Sequence, residues 1–139
     1  MNTTHLLTLA QACVTLLLVG LIWTMQVVHY PLFRYAEGEH FEEFHAAHAQ
    51  RITWLVGLLM PAEALLAGLL VFQAPSPWTW IGAALVLALW LTTALLSIPA
   101  HQRLASGFDS AAHRRLVRTN WIRTLAWTAR GLIALAMLW

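Results

Sequence analysis

Imidazole is the most versatile side chain in this sequence, and five of its seven histidines gather near the ends of hydrophobic segments: His29, His40, His45, His48 and His101. Imidazole and carboxylate without thiolate form a donor set suited to zinc, copper or iron. His45-x-x-His48 has the spacing to chelate from one helical face. Glu42-x-x-His45 has the i,i+3 spacing found in carboxylate-bridged di-iron bundles. His29, His48 and His101 belong to three different segments, so with His45 and Glu42 they make up the candidate metal-ligand set. Glu-x-x-His occurs once, where a di-iron bundle needs two such motifs, and His-Glu-x-x-His is absent. Haem is the alternative cofactor, with two histidines at matching depth, such as His29 and His101, as axial ligands and arginines for the propionates. The plainer role, hydrogen bonding to headgroups or helix ends, suits His5, His40 and His113.

A second pair stands deeper. Glu63 and Arg130 each lie near the middle of a hydrophobic segment. A lone ionised side chain at that depth of a bilayer costs at least ~3 kcal/mol, so such residues face inward, pair, and mark function. Each follows a tryptophan, Trp54 or Trp121, by the same number of residues, which places both roughly 13 Å into the membrane. Polar residues at helical spacing lead towards them. Gln26, His29 and Tyr30 share one face; Thr93, Ser97 and His101 step by four; Asn120, Arg123, Trp127 and Arg130 form a ladder. Together they predict a polar wedge closing at Glu63–Arg130. Glu63 is then a ligand or proton acceptor, Arg123 and Arg130 hold an anionic or carbonyl oxygen, and Asn120 and Trp127 touch the cofactor. The structural alternative for Glu63–Arg130 is an ion pair that fixes helix register.

The elements that position these residues follow from composition. The chain has 139 residues, 60% hydrophobic and only 10% charged. A soluble domain carries about 25% charged residues, so this is a membrane protein. Residues 6–30, 52–72, 78–98 and 121–139 are each close to the ~20 apolar residues that a membrane-crossing helix requires. The expected fold is one all-α domain over residues 1–139, a bundle of four transmembrane helices. The first is a retained helix, because no basic stretch precedes it and no small-residue cleavage site follows. Pro31 ends the first helix, Pro61 kinks the second and Pro99 stops the third. Residues 34–50 are expected as an amphipathic interfacial helix or an extension of the second helix, since Phe41, Phe44 and Ala47 share a face. Ser110 is the expected cap of a short basic helix leading into the fourth segment.

Every basic residue is arginine, and seven of the eight lie in or beside the connections after the first and third segments. The positive-inside rule puts both connections in the cytoplasm and both termini outside, as in a multi-pass protein of a bacterial inner membrane. Arg114, Arg115 and Arg118 suit contact with anionic membrane lipid. No basic, aromatic-interleaved surface offers itself to nucleic acid. The single cysteine, Cys13, excludes a disulfide framework and a thiolate metal site. A parallel internal repeat of two hairpins fits Ala46-Ala47-His48 aligned with Ala111-Ala112-His113, then Arg51 with Arg118, Trp54 with Trp121 and Glu63 with Arg130.

His29-Tyr30-Pro31-Leu32-Phe33, His48-Ala49-Gln50-Arg51-Ile52, Pro61-Ala62-Glu63 and the run from Asn120 through Trp127 to Arg130 resemble a group of small bacterial four-helix membrane proteins of unknown function. More distantly, in size and helix count, the chain resembles anthrone-oxygenase-like membrane proteins. That likeness implies an oxygenase acting on a flat aromatic or quinone-like lipid, and carries over no residue by position. Three functions are compatible with these residues. The first is a metal- or haem-binding membrane protein, an oxidoreductase on a lipophilic or quinone-like substrate. The second is a proton- or ion-coupled transporter using Glu63 and Arg130, for which a chain this short would form a homo-oligomer. The third is a non-catalytic membrane subunit or scaffold.

Overall fold

The computed structural model describes residues 2–36 and 38–139, and every regular element among them is helical. Helix α1 spans Thr3–Tyr35, α2 spans Phe41–Gln73, α3 spans Pro77–Leu104 and α4 spans Ser110–Ala136. The first three are long and apolar enough to cross a membrane. Helix α4 is comparably long, but three exposed arginines open it and two more are buried along it. Helix α1 packs against α2 and α4, and α3 packs against the same two.

Local chemistry sets the ends. The Asn2 side chain accepts the His5 N–H at 2.8 Å and opens α1. Ser76 and Thr79 close a reciprocal capping box ahead of α3, with Pro77 where a missing N–H costs nothing. The cap of α4 is Asp109 and not the expected Ser110. Asp109 is extended, and its carboxylate accepts the Ala111 and Ala112 N–H groups at 2.7 and 3.0 Å. Those two backbone donors hold the exposed Asp109 carboxyl below its ordinary range.

No separate interfacial helix precedes α2, which begins at Phe41 and runs without a break. The reason is a continuous inward stripe. Phe41, His45, His48, Ile52, Val56, Met60, Glu63, Ala67 and Leu70 step by three or four, all buried or half-buried. An interfacial helix would have to turn that stripe away from the core. Pro61 lies on the exposed face, and the helix continues through it.

The other two prolines do not stop their helices either. In α1, residues Met25–His29 form a π-helical turn, with Tyr30 N–H bonded to Met25 C=O. In α3, residues Thr93–Ser97 do the same, with Ile98 N–H bonded to Thr93 C=O. Each turn ends two residues before a proline, Pro31 or Pro99. Widening the turn lets the helix pass a residue that lacks an N–H and crowds the preceding carbonyl. Both helices then run on into connections that contain a glycine of positive φ, Gly38 at 119° and Gly107 at 120°, where a side chain would be strained. The same succession of π turn, proline, left-handed glycine and long helix thus occurs twice.

Beyond its π turn, α3 diverges from α2. The two pack closely along Pro77–Thr92 and less closely along Ile98–Leu104, where His101 reaches across to His45 and His48. An aromatic and aliphatic core of Tyr30, Phe33, Phe41, Leu104 and Leu116 fills the same end on the α1 and α4 side.

Candidate functional site

Four imidazoles from three helices form a row at that end. His29 leaves the π turn of α1, His45 and His48 lie on the inward stripe of α2, and His101 follows Pro99 in α3. Successive ring centroids along His29, His48, His101 and His45 are 4.6, 5.5 and 5.3 Å apart. His29 Nε2 and His48 Nδ1 share a hydrogen bond at 2.8 Å, and His45 Nε2 and His101 Nδ1 share one at 3.1 Å. The Tyr30 hydroxyl meets His101 Nε2 at 3.3 Å. Phe33 backs the row, edge-on to His29, His45 and His48.

The histidines picked from sequence therefore come together, but as hydrogen-bonded pairs. Within each pair the two nitrogens face each other across one proton. Among the described residues, no three His, Cys, Asp or Glu side chains converge in a geometry that would hold a metal ion. Glu42 does not join the row. Phe41 and His45 take the inward face, so Glu42 turns outward, exposed, and lies near the Gly107 turn. A haem held between His29 and His101 does not fit, because His48 packs against both rings and fills the place a porphyrin would need.

Deeper in the molecule, Glu63 and Arg130 meet as expected, with Nε to Oε1 at 2.8 Å and both side chains buried. Thr15 donates to the same oxygen at 2.9 Å, and Trp127 Nε1 donates to Oε2 at 3.0 Å. Gln11 in turn donates to Thr15 at 2.9 Å. Three helices thus converge on one carboxylate. Gly82 adds a fourth, since a β-carbon there would stand 2.7 Å from Arg130 Nη1. Sequence reading missed Gln11 and Thr15. Their i,i+4 spacing, with Thr8 one turn earlier, was the available signal.

Between these two levels lies Arg123. Its Nη1 donates to Ser97 Oγ at 2.9 Å and to Asn120 Oδ1 at 3.2 Å, and its guanidinium carbon stands 5.2 Å from the centre of the Trp127 ring. Asn120 is tied to Gln26 at 2.9 Å, and Gln26 reaches the Val117 carbonyl at 3.2 Å. His113 donates to the Tyr30 carbonyl at 2.8 Å, beside the Phe33 N–H that bonds the same oxygen, a structural role.

Where α2 and α3 diverge, a cavity of about 350 Å³ opens between them. Its walls are apolar or small, among them Ala49, Ile52, Val56 and Ile98. Its polar lining brings together His45, His101, Tyr30, Ser97 and Arg123. Glu63 and Arg130 do not line it. The volume lies within the range of small-molecule sites, which are mostly apolar with a few convergent polar groups.

No family model, no curated protein and no solved structure matches this chain.

Proposed function

We propose that this chain is a four-helix transmembrane protein that admits a lipophilic molecule from the bilayer into the cavity between α2 and α3. The molecule's polar head then meets the His45–His101–Tyr30 chain. The cavity carries this reading, because its apolar walls end in an array of proton-handling groups. The recurring π turn, proline and glycine support two hairpins related as a parallel repeat. Helix α4 suits a membrane too: Ile122, Leu125 and Leu132 face outward, while Arg123 and Arg130 are buried. The arginine-rich connections support a topology with the cavity end in the cytoplasm and the termini outside.

The chemistry follows from the hydrogen bonds. Imidazole donates from one nitrogen and accepts at the other. In one arrangement Tyr30 donates to His101 Nε2, and His101 Nδ1 donates to His45 Nε2. In the other all the bonds reverse, and the Tyr30 hydroxyl is free to donate into the cavity. Switching between the two moves a proton between the ligand head and His45 with little movement of heavy atoms. Such a relay suits proton exchange with an oxygen of the ligand head. Because the imidazoles pair with each other, no step here is routed through a metal.

The reading is tested by thermal melting of the protein in mild detergent with a short-tailed quinone and other lipophilic compounds. Stabilisation by one of them is expected in the parent, and none in Ala49→Trp, which fills the cavity. A compound series that leaves both proteins unmoved would overturn the proposal. Metal analysis is the second arm. One bound equivalent that disappears in His48→Ala would replace the proton relay with a ligand set.

A further inference from the structure

Arg123 is 6% exposed and lies against an apolar cavity, yet its neighbours are all neutral. Ser97 and Asn120 accept from Nη1, Trp127 offers its π face, and Nε has no partner. Among the described residues the one side-chain ion pair is Glu63–Arg130, and none of their carboxylates answers Arg123. A buried guanidinium without a counter-charge is costly, and hydroxyl, amide and indole offset only part of that cost. Arg130 makes the contrast: it is buried in the same helix, with its carboxylate provided by the chain itself.

We infer that the missing counter-charge arrives with the ligand, and that the ligand is a single-chain amphiphile with one carboxylate head. One unanswered guanidinium matches a monoanion. The planar guanidinium matches a carboxylate in two-point geometry. A cavity of about 350 Å³ has room for a head and part of one tail, with its opening between α2 and α3 leaving the remainder in lipid. A two-chain phospholipid is too bulky for it. The Tyr30 hydroxyl, on the same lining, donates to the second carboxylate oxygen when His101 Nε2 donates to it. The inference rests on the proposed lipophilic site and specifies its substrate class.

The test uses the full-length protein in phosphatidylcholine nanodiscs at about pH 8, where a fatty carboxylate is ionised. Dodecanoate, dodecanol and methyl dodecanoate are titrated in turn; they share a chain length and differ in the charge of the head. Close charge pairs across interfaces couple by enough to expect dodecanoate to bind about tenfold tighter or more than either neutral compound. The advantage should vanish in Arg123→Gln, with dodecanol binding kept. Should that variant fail to fold, the ratio in the parent protein still decides. Equal affinity for all three overturns the carboxylate assignment and leaves a lipophilic site standing. Absence of binding by any of them overturns the proposed site itself. Displacement of dodecanoate by phosphatidylglycerol at equal concentration overturns the single-chain assignment.

Discussion

Glu63 ties α1 and α4 to α2 through its two carboxylate oxygens. Its two oxygens receive Thr15, Arg130 and Trp127, so its neighbours lose a common acceptor if the charge is removed. Glu63→Gln strands the Arg130 guanidinium, and breaking a buried pair from one side costs about 3–5 kcal/mol. A large fall in melting temperature in detergent is expected. The double variant Glu63→Gln/Arg130→Met should recover much of the loss, because it strands no charge. Trp127→Phe removes one hydrogen bond to a charged acceptor and should cost less, about 1.5–3 kcal/mol. A double variant no more stable than Glu63→Gln would show that the pair does more than lock helices together. Gly82→Ala probes the same lock from α3, since the new methyl displaces a guanidinium held in place by Glu63. Overpacking of this kind costs about 1–3 kcal/mol, and the penalty should shrink in the double-variant background, read by the same melts.

Among the elements, the two π turns matter most for the site. They place Gln26 and His29 from α1 and Thr93 and Ser97 from α3 towards the interior just before the helices meet their prolines. Pro99→Ala restores an N–H and lets α3 resume ordinary spacing. Amide exchange over residues 93–97 should slow, and ligand binding should weaken as Ser97 leaves Arg123. Unchanged exchange and binding would mean that packing, not proline, sets the π turn. The start of α4 gives a pH prediction. Asp109 is held below its ordinary range by the Ala112 and Ala111 N–H groups, so its ionised form binds the folded state more tightly than the unfolded one. Its contribution is complete above the usual aspartate range near 4 and is lost as pH falls through the depressed folded value. Asp109→Ala should therefore be less stable than the parent at neutral pH and converge with it in acid, in melts run across pH. Asp109→Asn should keep a cap without that pH dependence.

Across the whole molecule, exposed arginines in and beside the two longer connections and outward leucines and tryptophans along the helices support the proposed orientation in lipid. A C-terminal alkaline phosphatase fusion should be active and a C-terminal fluorescent-protein fusion dark, as expected for termini outside. The reverse pattern would invert the proposed topology and put the cavity on the other face. Much of this was legible from sequence. Apolar length marks three helices without ambiguity, because a bilayer demands ~20 such residues wherever they occur. The depth of Glu63 and Arg130 follows from rise per residue, and their pairing from the cost of leaving either alone. Helix ends were read less well. Local rules make Pro31 and Pro99 stops and Ser110 a cap, because they cannot foresee a π turn that absorbs a proline or a neighbouring aspartate in extended geometry.

Residue types and spacing determined that three helices are long and apolar enough to cross a membrane, that the imidazoles gather at one level, and that a buried carboxylate meets a buried guanidinium. These follow from periodicity and from the energetics of charge in lipid, which act along the chain. Whether the imidazoles face a common point or pair with one another depends on sub-ångström ring placement. Whether Glu42 turns in or out depends on which face of α2 packs inward, and what surrounds Arg123 depends on which helices meet it. Those outcomes were decided only by packing, where Phe33, Trp127 and the divergence of α2 from α3 fix positions between segments distant in sequence.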